Sequence, residues 1–341
     1  MSLRPAGLER AVVVFAATAS LFVLVCCARQ SSAQPSPADL QLNVKSPSRF
    51  LVYGDTRFTD PGNTEAVNPQ VRQALVQAMA AERPAFVSIT GDIAYRGDHA
   101  SDWKVWDEET AIWRERKIPV YPALGNHDLK GDEKVALDNY FQRFPDLEHS
   151  RYYSMRAGRV LLLALDSSQD ETSGPQGDWL RQKVAKLSPD VQFVVLVMHH
   201  PPYTSSSDNR IGGGHSARTS EQNLARLLEE AQSHSRARFV VFSGHVHNYE
   251  RHEHGGVTYF VTGGGGARPY LIEHVPGDAY QDGGINYHYL RVDVQDSAIT
   301  VTMRKLELQD GKARWSEPDR IDLTLPAAKG SPHASADARA H

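Results

Sequence analysis

The sequence predicts an α/β (α+β) fold in which two mixed β-sheets are flanked by helices. Apolar runs with little polar alternation, among them "RFLVYGD", "AFVSITGD" and "VQFVVLVMHH", read as strands covered on both faces. Helix-period segments lie between these runs, the pattern of a sheet layered by helices. From "GVTYFVTGG" onward, "YHYLRVDV", "AITVTMRKLEL" and "IDLTL" alternate instead, which predicts a second, partly antiparallel sheet in the same domain.

Along the chain, the first element is a leader. "MSLRPAGLER" carries two arginines, Ala11–Cys27 is apolar or small, and small residues surround Ala33, so residues 1–33 are expected to be a secretory signal peptide. A secreted or periplasmic location follows; a retained N-terminal membrane anchor and a lipoprotein cut before Cys27 are the alternatives. Cys26 and Cys27 are the only cysteines, so a processed chain would carry neither a disulfide nor a thiolate. Residues 34–47, rich in Pro and Ser, read as a linker, 48–325 as the folded domain and 326–341 as a disordered tail.

Within the domain, "IPVYPALGNHD", "RVLLLALDSS" and "RFVVFSGHVH" complete a set of six buried strand runs. Asn68 ahead of Pro69 predicts a helix start, with Val71, Leu75 and Met79 on one face. Thr219 with Gln222 predicts a capping box before Leu224, Leu227, Leu228 and Ala231. Asp310-Gly311 predicts a hairpin turn. With 40% hydrophobic and 23% charged residues and a formal net charge of −4, the composition is globular, without the basic footprint of a nucleic-acid binder.

Five of the six runs end in metal-capable residues: Asp55; Asp92; Asn126 with His127 and Asp128; His199 with His200; and His245 with His247. Alone, a strand-terminal Asp is most often a turn former, and "HH" before Pro-Pro merely ends a strand. Their joint occurrence points to one site, because ligands bind beyond the carboxyl ends of strands in open α/β sheets. Without thiolates, its donors are oxygens and imidazoles.

The order GD, GDxxY, GNHD, HHP, GHVHNYER resembles the calcineurin-like metallophosphoesterases and, within them, the small single-domain purple acid phosphatases. The resemblance spans residues 48–325 and implies a four-layer αββα sandwich and a secreted hydrolase of phosphate monoesters with two metal ions. It implies that Asp55, Tyr95 and His247 bind one ion, that Asn126, His199 and His245 bind the other, and that Asp92 bridges them. Most of the superfamily opens with Asp-x-His; here Gly54-Asp55-Thr56-Arg57 lacks that histidine, and Gly91-Asp92-Ile93-Ala94-Tyr95 carries the tyrosine that replaces it. Arg57 itself stands where the purple acid phosphatases usually have Gly. Between His199 and His200, the spacing to the following proline favours His199.

A phenol with a pKa of about 10 needs a strongly charged ion to ionise at acidic or neutral pH. The expected pair is therefore Fe(III) with a divalent Fe, Zn or Mn, acting on a small phosphate ester. His127 reads as a phosphate donor held by Asp128, or as a structural hydrogen bond. His215, in "NRIGGGHSAR", reads as the general acid or as a solvated loop histidine. Arg57, His200 and Tyr203 are candidates for substrate binding, Arg57 through its planar fork. Tyr249 and Arg251 line the mouth or form packing and an ion pair. "GGGGA", residues 263–267, reads as close backbone approach beneath the site. Two other functions fit the same fold: a phosphodiesterase with a Mn or Zn pair, and a catalytically idle surface binding module.

Overall fold

Two seven-stranded sheets form the domain, and inner strands such as Phe86–Ile89, Val160–Ala164, Phe193–Val197 and Val257–Thr262 are buried on both faces. The computed structural model describes residues 37–206 and 215–326; the expected leader and tail lie outside the described residues. In one sheet β2 (Ser48–Tyr53), β3 (Phe86–Ile89) and β4 (Val120–Pro122) run parallel. β11 (Tyr287–Val294) adds antiparallel to β2, followed by β12 (Ala298–Gln309), which pairs with both β13 (Lys312–Ser316) and β14 (Arg320–Thr324). The other sheet has the order β1 (Asp39–Leu42), β5 (Tyr153–Ala157), β6 (Val160–Ala164), β7 (Phe193–Val197), β8 (Arg238–Ser243), β10 (Val257–Thr262), β9 (Tyr249–His254).

The period-2 geometry of a strand explains the uninterrupted apolar runs. On β7, Phe193, Val195 and Val197 join the large core that also takes in the first sheet, while Val194 and Leu196 join a second core. That second core includes Leu180 of α5 (Gly174–Ala185) and Leu224 and Leu228 of α6 (Thr219–His234). On the far side α1 (Pro69–Ala81) packs on β11 and β12. It is followed by α2 (Ala100–Glu109), α3 (Ala111–Glu115) and α4 (Glu133–Arg143). The result is the αββα arrangement. Among the described residues no helix is long and apolar enough to cross a membrane.

Local expectations fare unevenly. Asn68 caps α1 through its side chain, accepting from the Val71 N–H at 3.1 Å, with Val71, Leu75 and Met79 buried. Asp310 and Gly311 take φ of 51° and 71°, the two-residue turn in which both positions are left-handed. The capping box lies one residue earlier than expected: Arg218 is the N-cap, and the Glu221 carboxylate accepts its backbone N–H at 2.8 Å. The expected linker contributes β1, paired parallel with β5 from Asp39↔Ser154 to Leu42↔Ala157; four residues are too few for periodicity to register. β10 also departs from the expected second sheet: all six of its residues are buried, and it pairs parallel with β8. The late antiparallel strands instead extend the sheet begun by β2–β4.

A buried ion pair fastens α1 to α2 under the first catalytic-side loop. The Arg72 guanidinium donates to both Glu109 oxygens at 2.8 and 2.6 Å and lies 4.7 Å over the Phe58 ring. Nη2 also donates to the Thr59 carbonyl at 3.3 Å, and Nη1 to the Arg57 carbonyl at 3.5 Å. Removing one partner leaves a buried uncompensated charge, so Arg72→Ala is expected to lower stability by about 3 kcal/mol or more. A urea titration checks this, with the midpoint falling at unchanged slope.

Candidate metal centre

β2, β3 and β4 end side by side and hand Asp55, Asp92 and Asn126–Asp128 to the same edge; β7 and β8 deliver His199 and His200, then His245 and His247, from the facing sheet. The chain turns sharply there. Asp55, Arg57, Asp92 and His245 all adopt left-handed φ, at 57°, 44°, 54° and 70°, a conformation side-chain-bearing residues hold only when their surroundings impose it. The glycine run passes directly beneath, as expected. The Gly265 N–H donates to the Gly54 carbonyl at 2.9 Å, and a Cβ on Gly265 would come within 2.2 Å of that oxygen.

Three donors converge on one point, with Asp92 beside one of them. His199 Nε2 lies 2.9 Å from Asn126 Oδ1, 3.2 Å from His245 Nδ1 and 3.4 Å from Asp92 Oδ1, and His245 Nδ1 lies 3.1 Å from Asn126 Oδ1. Donors around a zinc-sized ion are spaced about 3.3 Å apart, so the Asn126, His199 and His245 atoms fit a metal, and Asp55, Asp92 and His199 also bring ligand atoms within 4.8 Å of one another. Beside it, His247 Nε2 faces Asp55 Oδ1 at 3.4 Å, and neither buried atom has a hydrogen-bond partner. Paired orphans of this kind are what a second cation would satisfy. Backbone carbonyls fix the imidazoles: His199 Nδ1–H donates to Thr90 at 2.9 Å and His247 Nδ1–H to Arg268 at 2.6 Å, so each Nε2 lone pair points inward. Burial, reinforced by the Asp92 charge, pushes the Asp55 carboxyl up, to about 7. Burial acts the same way on Asp92, but His199, Arg57 and His127 more than offset it and hold that carboxyl well below the usual range.

The other predicted residues distribute around these donors. Arg57 forks onto Asp92 Oδ2 through Nε at 3.2 Å and Nη2 at 3.1 Å. The Tyr95 ring packs 5.5 Å from the His127 ring and beneath the Lys130 ammonium, and its hydroxyl is bonded to neither Asp55 Oδ1 nor His247 Nε2. His127 is held by the Tyr95 carbonyl at 2.6 Å rather than by Asp128. The Asp128 carboxylate instead accepts the backbone N–H groups of Ile93, Ala94 and Gly125, because those turns leave them without strand partners. His215 stacks on His245 with centroids 4.8 Å apart. His200, its ring 4.5 Å from that of His245, bonds Ser167 Oγ through Nδ1 at 2.9 Å.

Tyr203 stands elsewhere, stacked on His254 at 3.9 Å and donating to Glu229 at 2.8 Å, so its apolar ring serves packing between α6 and the β9–β10 hairpin. Tyr249 and Arg251 both bond Asp319, which is the ion-pair alternative. The aromatic that does flank the centre is Tyr270, stacked on His247 at 4.3 Å and edge-on to His215 at 5.0 Å. It lies in an irregular stretch where no periodicity could have singled it out.

Residues 48–249 match the family model described as calcineurin-like phosphoesterase. The chain belongs to this family. Among its phosphoesterase relatives is purple acid phosphatase 15 of Arabidopsis thaliana, 29% identical over 175 residues that cover 46% of this chain and 31% of the relative. A probable cyclic nucleotide phosphodiesterase of Psychrobacter arcticus is 22% identical over 56% of this chain and 66% of its own. Purple acid phosphatase PPD1 from yellow lupin (Lupinus luteus) seeds shares the fold, with a TM-score of 0.62 at 17% identity over 82% of this chain and 54% of its own. The phosphoesterase thus spans only part of the length of these relatives, and its likeness to the purple acid phosphatases is distant.

A second histidine–carboxylate network braces the loops on either side of this phosphoesterase centre. His252 Nε2 lies 3.1 Å from Glu250 Oε2, and its Nδ1 lies 2.7 Å from Asp278 Oδ1. Thr204 donates to Glu250 at 2.7 Å, tying in the segment that leads toward His215. Burial lowers the His252 pKa, but bonds to Asp278 and Glu250 outweigh it and raise the group to about 9. A raised pKa means stabilisation fully present below the ordinary value of 6.5 and lost as pH rises through about 9. The melting-temperature gap between wild type and His252→Asn is therefore expected to be widest below pH 6.5 and to close above about pH 9, which scanning calorimetry across that range checks.

Proposed function

We propose that this protein is a secreted or periplasmic phosphatase that hydrolyses phosphate monoesters at a dinuclear centre of Fe(III) with a divalent Fe, Zn or Mn. The observation that carries the reading is the gathering of two donor sets about Asp92, the Asn126, His199 and His245 atoms and the unpartnered pair of Asp55 and His247. Asp55 and His247, with Tyr95 from the GDxxY motif, would hold one ion; Asn126, His199 and His245 the other; Asp92 would lie between. Two such ions polarise phosphoryl oxygens and make water nucleophilic near neutral pH.

The chain's own residues supply the rest. Four left-handed residues in three turns and the backbone carbonyls of Thr90 and Arg268 hold the donors in place before substrate arrives. His127, whose Nδ1–H is committed to the Tyr95 carbonyl, donates to a phosphate oxygen only when its other nitrogen also carries a proton. His215, stacked over His245, is placed to give a proton to the departing alkoxide. Tyr270 walls the site beside His247 and excludes water from one side.

One observation favours a second reading, a phosphodiesterase with a Mn or Zn pair: the Tyr95 hydroxyl is not bonded to the donors it would join. The relative named a probable cyclic nucleotide phosphodiesterase is consistent with it.

Comparing p-nitrophenyl phosphate with its bis ester separates the two, and the monoester is expected to be the better substrate. Asp92→Asn is expected to lower kcat/KM by about three orders of magnitude through loss of preorganised charge, with circular dichroism showing a retained fold. The purified protein is expected to be coloured and to bleach in Tyr95→Phe; a colourless, iron-free and active protein would place it with the diesterase reading.

A further inference from the structure

The two halves of the centre are not equivalent, and Arg57 is the reason. The Asp92 carboxylate presents its oxygens to different neighbours. Oδ1 accepts the His127 backbone N–H at 2.8 Å and faces His199 Nε2. Oδ2 is occupied by the Arg57 fork at 3.1 and 3.2 Å. Asp92 also lies within 4.8 Å of the ligand atoms of Asp55 and His199, so an ion at the Asp55–His247 pair would draw on a carboxylate already held by a guanidinium. A planar fork on a buried carboxylate is a specific, charge-assisted contact rather than a surface ion pair.

Its placement is imposed by the backbone. Arg57 sits at φ 44°, and its N–H donates to the Asp92 carbonyl at 2.8 Å, which pins the start of the side chain beside that residue. The side chain is 15% exposed, so one route out toward the open side remains.

We propose that Arg57 is a built-in competitor for one metal position, so that the centre fills in order. The position of Asn126, His199 and His245, beside Asp92 Oδ1, takes the first divalent ion. The Asp55–His247 position takes a second ion only when Arg57 releases Asp92 Oδ2. A phosphate anion attracts the same guanidinium, so anion binding and filling of the second position favour each other, and by linkage the coupling is reciprocal. Arg57 is thus a positioning residue that passes between a protein carboxylate and a substrate oxyanion. This rests on the dinuclear reading above.

The test is calorimetric titration of the metal-free full chain with Zn(II), in wild type, Arg57→Gly and Arg57→Asn, each with and without inorganic phosphate. Gly and Asn both suit a left-handed position, and thermal melts confirm that each variant folds. Wild type is expected to bind in two steps whose affinities differ by about a hundredfold, the scale of a unit charge close to a divalent site. In both variants the second step should tighten by about tenfold or more, and by more than the first, so that the two steps draw together. Phosphate should tighten the second step in wild type and do so less in the variants. Two equal steps in wild type, or a second step unmoved by both substitutions, would overturn the competition while leaving the dinuclear reading intact. No binding by any of the three proteins would overturn both.

Discussion

The structure is organised around the burial of three carboxylates, Asp55, Asp92 and Asp128, within one cluster of turns. Charge taken out of water is costly unless it is hydrogen-bonded or paired, and each carboxylate meets that requirement differently. Asp128 accepts three backbone N–H groups and holds the turns after β3 and β4 together. Asp55 accepts the His245 N–H at 2.9 Å and so joins the two sheets. Asp92 has an arginine on one oxygen and a backbone N–H on the other. The left-handed turns follow from these needs, since they aim backbone N–H groups and donor side chains at the same small volume.

The stiffness behind that geometry comes from the sheets. β7 and β8 are buried on both faces, between the shared core and the core under α5 and α6. Their ends therefore move little relative to β2–β4. Orientation of the histidines is delegated to the main chain: the Thr90 and Arg268 carbonyls take the outward N–H, and the Ser167 hydroxyl accepts the backbone N–H groups of both His199 and His200. None of these three residues is a metal-capable side chain of the kind the motifs emphasise, yet each decides which lone pair faces the centre.

Family membership sets the architecture and the donor types, but a shared fold hosts many reactions. What individualises this member lies at two positions, Tyr95 and Arg57. The tyrosine is in the motif that resembles the purple acid phosphatases; in the folded chain its ring turns toward His127 and Lys130. The arginine, at a position where that group usually has glycine, forks onto one oxygen of the buried Asp92 carboxylate.

The strand runs were legible because a strand buried on both faces has to be apolar throughout, and the donors were legible because they end those runs. β1 was not, being four residues long, and β10 was assigned to the wrong sheet because pairing partners leave no local mark. Tyr203 and Tyr270 show the same limit: equally aromatic in sequence, one packs under α6 and the other against His247. By itself the sequence determined the order, chemistry and strand-end placement of the donors, since these depend on residue type and near neighbours. Only the tertiary structure decided which atoms face one another. His199 is oriented by a carbonyl 109 positions away and Asp55 by an N–H 190 positions away, and contacts across such separations are made by the packing of the two sheets, not by any local pattern.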